Sequence, residues 1–213
     1  MTEKTAQKEP GKKPAPSKKP KPQQEVVVQI PLSELHPFPD HPFQVREDAS
    51  MQETAESVKE YGVLVPALAR PREDGGYELI AGHRRKHACE LAGLTTMPVI
   101  VRNIDRDAAT IIMVDSNLQR ENILPSERAK AYKMKMEAIK RQGARTDLTS
   151  PKISAKFRSD DEVGQDAGVS GDTIRNYIAL TQLVPELQQM VDEKKIALSP
   201  AYQIAALTPK EQG

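Results

Sequence analysis

The stretch from Tyr77 to Ala92, YELIAGHRRKHACELA, constrains this chain more than any other. Tyr77, Leu79, Ile80 and Ala81 form a short apolar run that predicts a strand, and Gly82 breaks it. Ala88, Cys89, Leu91 and Ala92 then recur at helical spacing, with Gly93 placed to cap the helix C-terminus. A strand thus runs into a helix through a single glycine. His83, Arg84, Arg85, Lys86 and His87 occupy the first helical turns, which puts up to five positive side chains there. A helix N-terminus already carries partial positive charge and unpaired N–H groups, so cations at that end oppose the helix unless an anion sits on it. Glycine, a helix N-terminus and arginines that grip phosphate oxygens two at a time make a phosphate site. The competing reading is a solvated basic helix face.

Charge in bulk names no partner, since 31 basic residues nearly balance 30 acidic ones over 213 positions. Its distribution is more telling. Residues 1–24 carry seven lysines, two glutamates and five prolines with almost nothing apolar, which predicts a disordered basic tail. That tail has neither the apolar centre of a signal peptide nor the pattern of a transit peptide. No run approaches the ~20 apolar residues that span a bilayer, so a soluble, cytoplasmic protein without membrane contact is expected. The one cysteine, Cys89, falls among the apolar helix positions and reads as a small core residue.

Folded structure is expected to begin with the β-branched strand Glu25–Ile30. The following loop has proline at 31, 37, 39 and 42, a density that excludes a long helix or a central strand. His36, Phe38, His41, Phe43, Gln44 and Arg46 decorate it. A helix from about Ser50 to Gly62, strands at Leu64–Arg70, Tyr77–Ala81 and Met97–Arg102, and a hairpin turn at Asp74-Gly75-Gly76 complete a small mixed-sheet domain over 25–124. From Asp105 the pattern turns helical, with Ala108, Ile111, Ile112 and Asn117–Leu118 on one face. A long helix from Ser126 to about Arg141, then a loop over Gln142–Ser159, open an all-α part over 125–213. The fold class read from these elements is α/β or α+β, a small mixed-sheet domain followed by an all-α one.

Within the helical part, Asp161–Leu183 carries a helix, a turn at Ala167-Gly168-Val169 and a second helix capped by Ser170, a helix-turn-helix over about 160–182. Ile174, Tyr177, Ile178 and Leu180 give the second helix its apolar face, while Gly171, Asp172, Thr173, Arg175 and Asn176 are expected to project outward. Arginine and asparagine are base-reading types. Ser170, Gly171, Thr173, Arg175 and Asn176 are thus candidate DNA contacts, with Lys152, Lys156 and Arg158 on phosphates. The alternative is an ordinary helical hairpin. Two further short helices are expected near 183–191 and 198–207. Thr208-Pro209-Lys210-Glu211 reads as another helix start, so the chain is expected to be a fragment lacking its natural C-terminal part.

Four elements in order, HPFQVR at 41–46, GHRRKHA at 82–88, NLQRENILPSERAKAY at 117–132 and the helix-turn-helix, resemble the ParB family of DNA partition proteins. The resemblance runs from about Glu25 to Leu207. It implies an N-terminal domain that binds CTP, a helix-turn-helix that reads a palindromic centromere-like site in double-stranded DNA, and a C-terminal dimerisation domain. It also implies a homodimer whose N-terminal domains close on CTP binding into a sliding clamp, for plasmid, chromosome or mobile-element segregation. The lysine-rich tail fits the family's role of stimulating a ParA-like ATPase. Carried over by position, Gly82, His83, Arg84 and Arg85 fall on the phosphate motif, Gln44 and Arg46 on the loop beside the nucleotide, and Asn117 and Arg120 on the helix that completes the site. Asn117 is also the metal position for a Mg²⁺ ion.

Two departures bear on catalysis. The family commonly has glutamate where this chain has His83 and Ser116. Histidine is a poor Mg²⁺ ligand and serine adds no charge, so the sequence supports CTP binding over turnover, at most a weak CTPase. Other readings use the same parts: a nucleoid-occlusion or transcription regulator, or a serine kinase-like enzyme of the same fold family with His83 paired to Glu34 or Glu53. Sulfiredoxin, a third relative of this fold, needs a cysteine beside the phosphate arginine, and Cys89 lies more than a turn away.

Overall fold

The computed structural model describes residues 25–120, 122–147 and 159–213. Among them β1 (Val27–Pro31), β2 (Leu35–Pro37), β3 (Ala67–Pro71), β4 (Tyr77–Ala81) and β5 (Thr96–Val101) form one sheet in the order β1-β5-β3-β4-β2. β1 and β5 pair antiparallel, as do β3 and β4, while β3–β5 and β2–β4 are parallel. The expected mixed sheet is therefore present, with two corrections. The expected Leu64–Arg70 strand starts three residues late, leaving Leu64 and Val65 exposed before β3. The proline-rich loop contributes β2, three residues long and at the sheet edge, where Pro37 has no outer partner to serve.

Helices surround this sheet. α1 (Ala49–Tyr61) is capped by Asp48, whose side chain accepts from Met51 N–H, and α3 (Arg106–Leu118) by Asp105, which accepts from Ala108 N–H. Such caps are worth about 1 kcal/mol each. α2 (His83–Leu91) follows β4 directly. Successive residues on a strand face opposite ways, and β4 shows what that achieves here. Leu79 packs into a core with Met51, Val58, Ala88, Cys89 and Met97, whereas Ile80 packs with Phe38, Phe43, Met113, Val114 and Ala131. The sheet is thus covered on both faces, by α1 and α2 on one and α3 with α4 on the other. Cys89 is fully buried and free, as the apolar spacing predicted.

On α3 the buried residues are Asp107, Ala109, Thr110, Met113 and Val114, while Ala108, Ile111 and Ile112 are only part-buried. The face chosen from sequence is offset because apolar residues surround this helix, and the sheet rather than the pattern selects the stripe. α4 (Pro125–Asp147) runs past the expected end at Arg141, so Gln142 and Gly143 are helical rather than loop.

α4 is where the sheet domain and the helical part meet. Its Ala131 joins the Ile80 core, Tyr132 packs with Val163 and Ile174, and Ala129 packs with Leu180, Leu183, Val191 and Ala201. Those partners lie on α5 (Ser159–Ala167), α6 (Gly171–Ala179), the turn after it, α7 (Pro185–Asp192) and α8 (Leu198–Ile204). No helix among the described residues is long and apolar enough to cross a membrane. Thr208–Glu211 has the capped turn of a helix start, with Glu211 accepting from both the N–H and the hydroxyl of Thr208 and Gln212 N–H bonding Thr208 O at 3.2 Å.

Candidate functional site

Gly82 joins β4 to α2 at φ 111°, in the left-handed region that glycine tolerates. A Cβ there would meet Ala67 Cβ at 2.8 Å, so the turn sits hard against β3 and admits no side chain. It also provides no side-chain cap, which leaves the first-turn N–H groups of α2 open to a ligand. These groups face a cleft of about 240 Å³ lined by Gln44, Gly82, His83, Arg84, Arg85, Ser116, Asn117 and Arg120 together with His41 and Phe43. An adjoining cleft of about 340 Å³ shares Phe43, Gln44, Arg84 and Arg120 and adds Arg46. All eight nucleotide-site candidates therefore come together, from segments up to 76 residues apart (Gln44 to Arg120).

The charge at the α2 start is smaller than the sequence suggested. Lys86 turns to Glu90 at 2.7 Å, and His87 lies 3.4 Å from both Glu47 and Glu90. His83 is neutral, its pKa lowered to about 3 by burial, then by the neighbouring His41 and Lys86. The cluster of five reduces to Arg84 and Arg85 on the cleft wall, reinforced across it by Arg120. Arg84 is steadied by Ser50 Oγ at 3.2 Å and Asp48 at 3.7 Å. Arg85 donates to the Val65 and Pro66 carbonyls at 2.5 and 2.7 Å, so it holds the loop before β3 as well as lining the cleft.

On the opposite wall, Asn117 donates its Nδ2 to Met113 O at 2.8 Å, and its Oδ1 accepts from Arg120 at 3.5 Å. Ser116 donates to the same carbonyl at 3.0 Å. Asp115, one residue earlier, is not in the wall and binds Lys135. No carboxylate lines the first cleft among the described residues. In the adjoining one Asp48 and Glu127 are engaged by backbone N–H groups. Among the described residues the first cleft thus offers Mg²⁺ only neutral oxygens, a donor set that does not fit a protein-held Mg²⁺ ion. The kinase-like pairing is not formed either. Glu53 lines a different cleft, Glu34 is absent from this one, and the His83 ring stands 4.0 Å from that of His41.

Two residues left out of the sequence assignment matter here. Glu127, 8% exposed, accepts from Gln44 N–H at 3.1 Å and Leu124 N–H at 3.2 Å, tying the HPFQVR loop to the start of α4. Its signal was available, because a glutamate in the first turn reaches back to orphan N–H groups. His41 is the other, with no sequence pattern to single it out. Its Nδ1 bonds Phe43 O at 2.7 Å, and the Nε2 atoms of both His41 and His83 are buried without a partner. A buried unpaired polar group costs about 1–3 kcal/mol.

The second site is the helix-turn-helix. Gly168, at φ 68°, turns the chain between α5 and α6, and a Cβ on Gly164 would meet Val169 O at 2.6 Å. Ser170 caps α6, accepting from Thr173 N–H at 3.2 Å, and its hydroxyl lies 2.9 Å from Thr173 Oγ1. Asn176 is exposed on the same helix. Two assignments change. Gly171, expected to project outward, is buried against Asp161 because the two helices touch there. Arg175 is exposed but ion-paired with Asp160 and Asp172, so base reading would require exchanging those carboxylates. Lys152, Lys156 and Arg158 lie outside the described residues.

Comparison with known proteins matches residues 16–118 to the ParB N-terminal domain and residues 151–213 to the ParB HTH domain. A chromosome-partitioning protein Spo0J of Thermus thermophilus is 34% identical over 187 residues, 87% of this chain and 62% of that protein. A nucleoid occlusion protein of Geobacillus thermodenitrificans is 29% identical over 203 residues, 95% of this chain and 66% of that one. This chain therefore spans under two thirds of the length of either relative. Among solved structures, the C-terminally truncated chromosome-partitioning protein ParB of Caulobacter crescentus complexed to the centromeric parS site aligns with a TM-score of 0.55 at 28% identity. That alignment covers 86% of this chain and 88% of that one.

Proposed function

The chain belongs to the ParB family, and on that premise we propose that it binds CTP in the Gly82 cleft and a centromere-like DNA site through α5 and α6. The observation that carries the nucleotide half is the convergence of the uncapped Gly82–Arg85 turn, Arg120, Asn117 and Gln44 on one cleft that no carboxylate lines among the described residues. Backbone N–H groups and guanidinium groups suit a triphosphate, and the loop carrying Gln44 and Arg46 closes the far side. The likeness to a ParB solved on parS DNA supports the DNA half.

In this reading the protein works as a homodimer whose N-terminal domains engage when CTP binds, in the cytoplasm and on the nucleoid. The lysine-rich residues 1–24 serve a ParA-like ATPase. Mg²⁺ enters only on the phosphates of CTP, with Asn117 Oδ1 as the neutral oxygen nearest to hand, so CTP is bound far better than it is hydrolysed. The domain division falls at Leu124–Pro125, where α4 begins. A nucleoid-occlusion role is the second reading, favoured by the Geobacillus relative.

Titration calorimetry with CTP, UTP, ATP and GTP tests the nucleotide assignment. Binding confined to CTP is expected; equal affinities for all four, or none for CTP, would rule it out. A ParA-like ATPase encoded beside the gene, stimulated by the purified protein, separates partition from nucleoid occlusion.

A further inference from the structure

We propose that His41 and His83 supply the protein's half of a transition-metal site in the nucleotide cleft, selecting a borderline divalent ion such as Co²⁺ or Zn²⁺ over Mg²⁺. The proposal rests on the CTP reading, since triphosphate oxygens and water fill the remaining positions.

The argument starts from the two unpartnered nitrogens. His41 and His83 stand on facing elements of one cleft wall, the proline-rich loop and the first turn of α2, with ring centroids 4.0 Å apart. Both Nε2 atoms are shielded from solvent and bonded to nothing. In His41 the other nitrogen is committed: Nδ1 lies 2.7 Å from Phe43 O, and only as an N–H can it bond a carbonyl. That fixes the tautomer with a bare lone pair on Nε2. A ring nitrogen bonded to a backbone carbonyl while its partner stays free is the arrangement that orients a metal-binding imidazole.

The rest of the wall argues for the kind of ion. Magnesium takes oxygen ligands and prefers carboxylates, and none lines this cleft among the described residues. Imidazole nitrogen suits Co²⁺, Zn²⁺ and their neighbours. Rings with centroids 4.0 Å apart lie within the span that one ion bridges at a metal–nitrogen distance of about 2.1 Å. Two imidazoles alone make an incomplete site, and no set of three or more His, Cys, Asp or Glu gathers among the described residues. The ion is therefore expected to bind with the nucleotide rather than before it.

The test uses full-length protein free of any histidine tag, with Co²⁺ as the probe. Visible absorption of Co²⁺ plus CTP is recorded with the wild-type protein and with H41A/H83A, and CTP affinity is measured in Co²⁺, in Mg²⁺ and in chelator. Imidazole ligation is expected to intensify and shift the Co²⁺ bands, and Zn²⁺ to erase them by displacement. Co²⁺ should raise wild-type CTP affinity about tenfold or more over Mg²⁺, the scale on which metal affinity responds to changes around a ligand. In H41A/H83A the bands should match Co²⁺–CTP alone and the two metals should become equivalent, while His83→Glu should restore preference for Mg²⁺. Thermal melts confirm that the variants fold. Wild-type bands identical to those of H41A/H83A, or equal affinities in the two metals, overturn the proposal. If CTP still binds in that case, the nucleotide reading survives; if CTP binds under no condition, both fall.

Discussion

Lys135 Nζ on α4 donates to Asp115 Oδ1 on α3 at 2.7 Å, from a side chain only 1% exposed. The same ammonium reaches Asp166 Oδ2 on α5 at 2.8 Å. Burial works against its charge, but hydrogen bonds to the two aspartates more than offset this and raise its pKa. One lysine thus ties the helix that carries Asn117 to the first helix of the helix-turn-helix. Breaking a buried pair leaves an uncompensated charge, whereas replacing the charged group with an apolar one of similar volume is often neutral. Asp115→Asn with Asp166→Asn should therefore destabilise by about 1–3 kcal/mol, since both carboxylates are about half exposed and partly screened, and Lys135→Met by clearly less. Urea unfolding of the variants measures both, and a Lys135→Met loss as large as that of the aspartate pair would remove this account.

Arg84 and Arg85 should separate in their effects. Charge-assisted hydrogen bonds contribute about 1.5–3 kcal/mol each, so Arg84→Ala should weaken CTP binding by roughly one to two orders of magnitude with little change in melting temperature. Arg85→Ala should lower both affinity and stability, because Arg85 also holds the Val65 and Pro66 carbonyls. Calorimetry paired with thermal melts distinguishes the two.

On DNA, Thr173→Ala and Asn176→Ala are expected to cost sequence preference, about 1–3 kcal/mol where a side chain no longer reads its base. Arg175→Ala should also relax preference if Arg175 leaves Asp160 and Asp172 to reach a base. Replacing Lys152, Lys156 or Arg158 with alanine should instead weaken specific and random DNA alike, and reduce the salt slope by about 1 for each phosphate no longer neutralised. Fluorescence anisotropy across a salt series reads both classes. Identical losses from the two sets would contradict the groove assignment.

With Mg²⁺, CTP turnover should be slow or absent. Phosphoryl transfer needs metal and water held in line, and no carboxylate lines this cleft among the described residues. Ser116→Glu combined with His83→Glu should raise phosphate release without tightening CTP binding; a tenfold gain would correspond to ~1.4 kcal/mol of barrier. A wild-type rate that the double variant does not exceed would show that the missing acids are not the limit.

Much of the molecule was legible from the chain itself, because its signals are local. Strand, glycine and cationic helix at Tyr77–Ala92, the cap at Ser170, and the turn at Gly168 each depend on a few neighbouring residues, and each stands where it was expected. The Gly82–Arg85 phosphate turn was legible locally, the other nucleotide-site residues came from resemblance, and the folded chain brings all eight to two adjoining clefts.

What local pattern could not determine is which charges survive packing. Formal charge is a property of a residue, but protonation and pairing depend on groups distant in sequence. His83 loses its charge through burial first, and then through His41, 42 residues earlier in the chain and packed beside it. Arg175 meets Asp160 across the helix-turn-helix. Lys135, which any helical pattern would leave in solvent, is buried because α3 and α5 each bring it a carboxylate. Sequence determined where the backbone turns and which residues are available for phosphate and DNA; tertiary structure decided which of them remain charged, because desolvation and Coulomb energy act through space rather than along the chain.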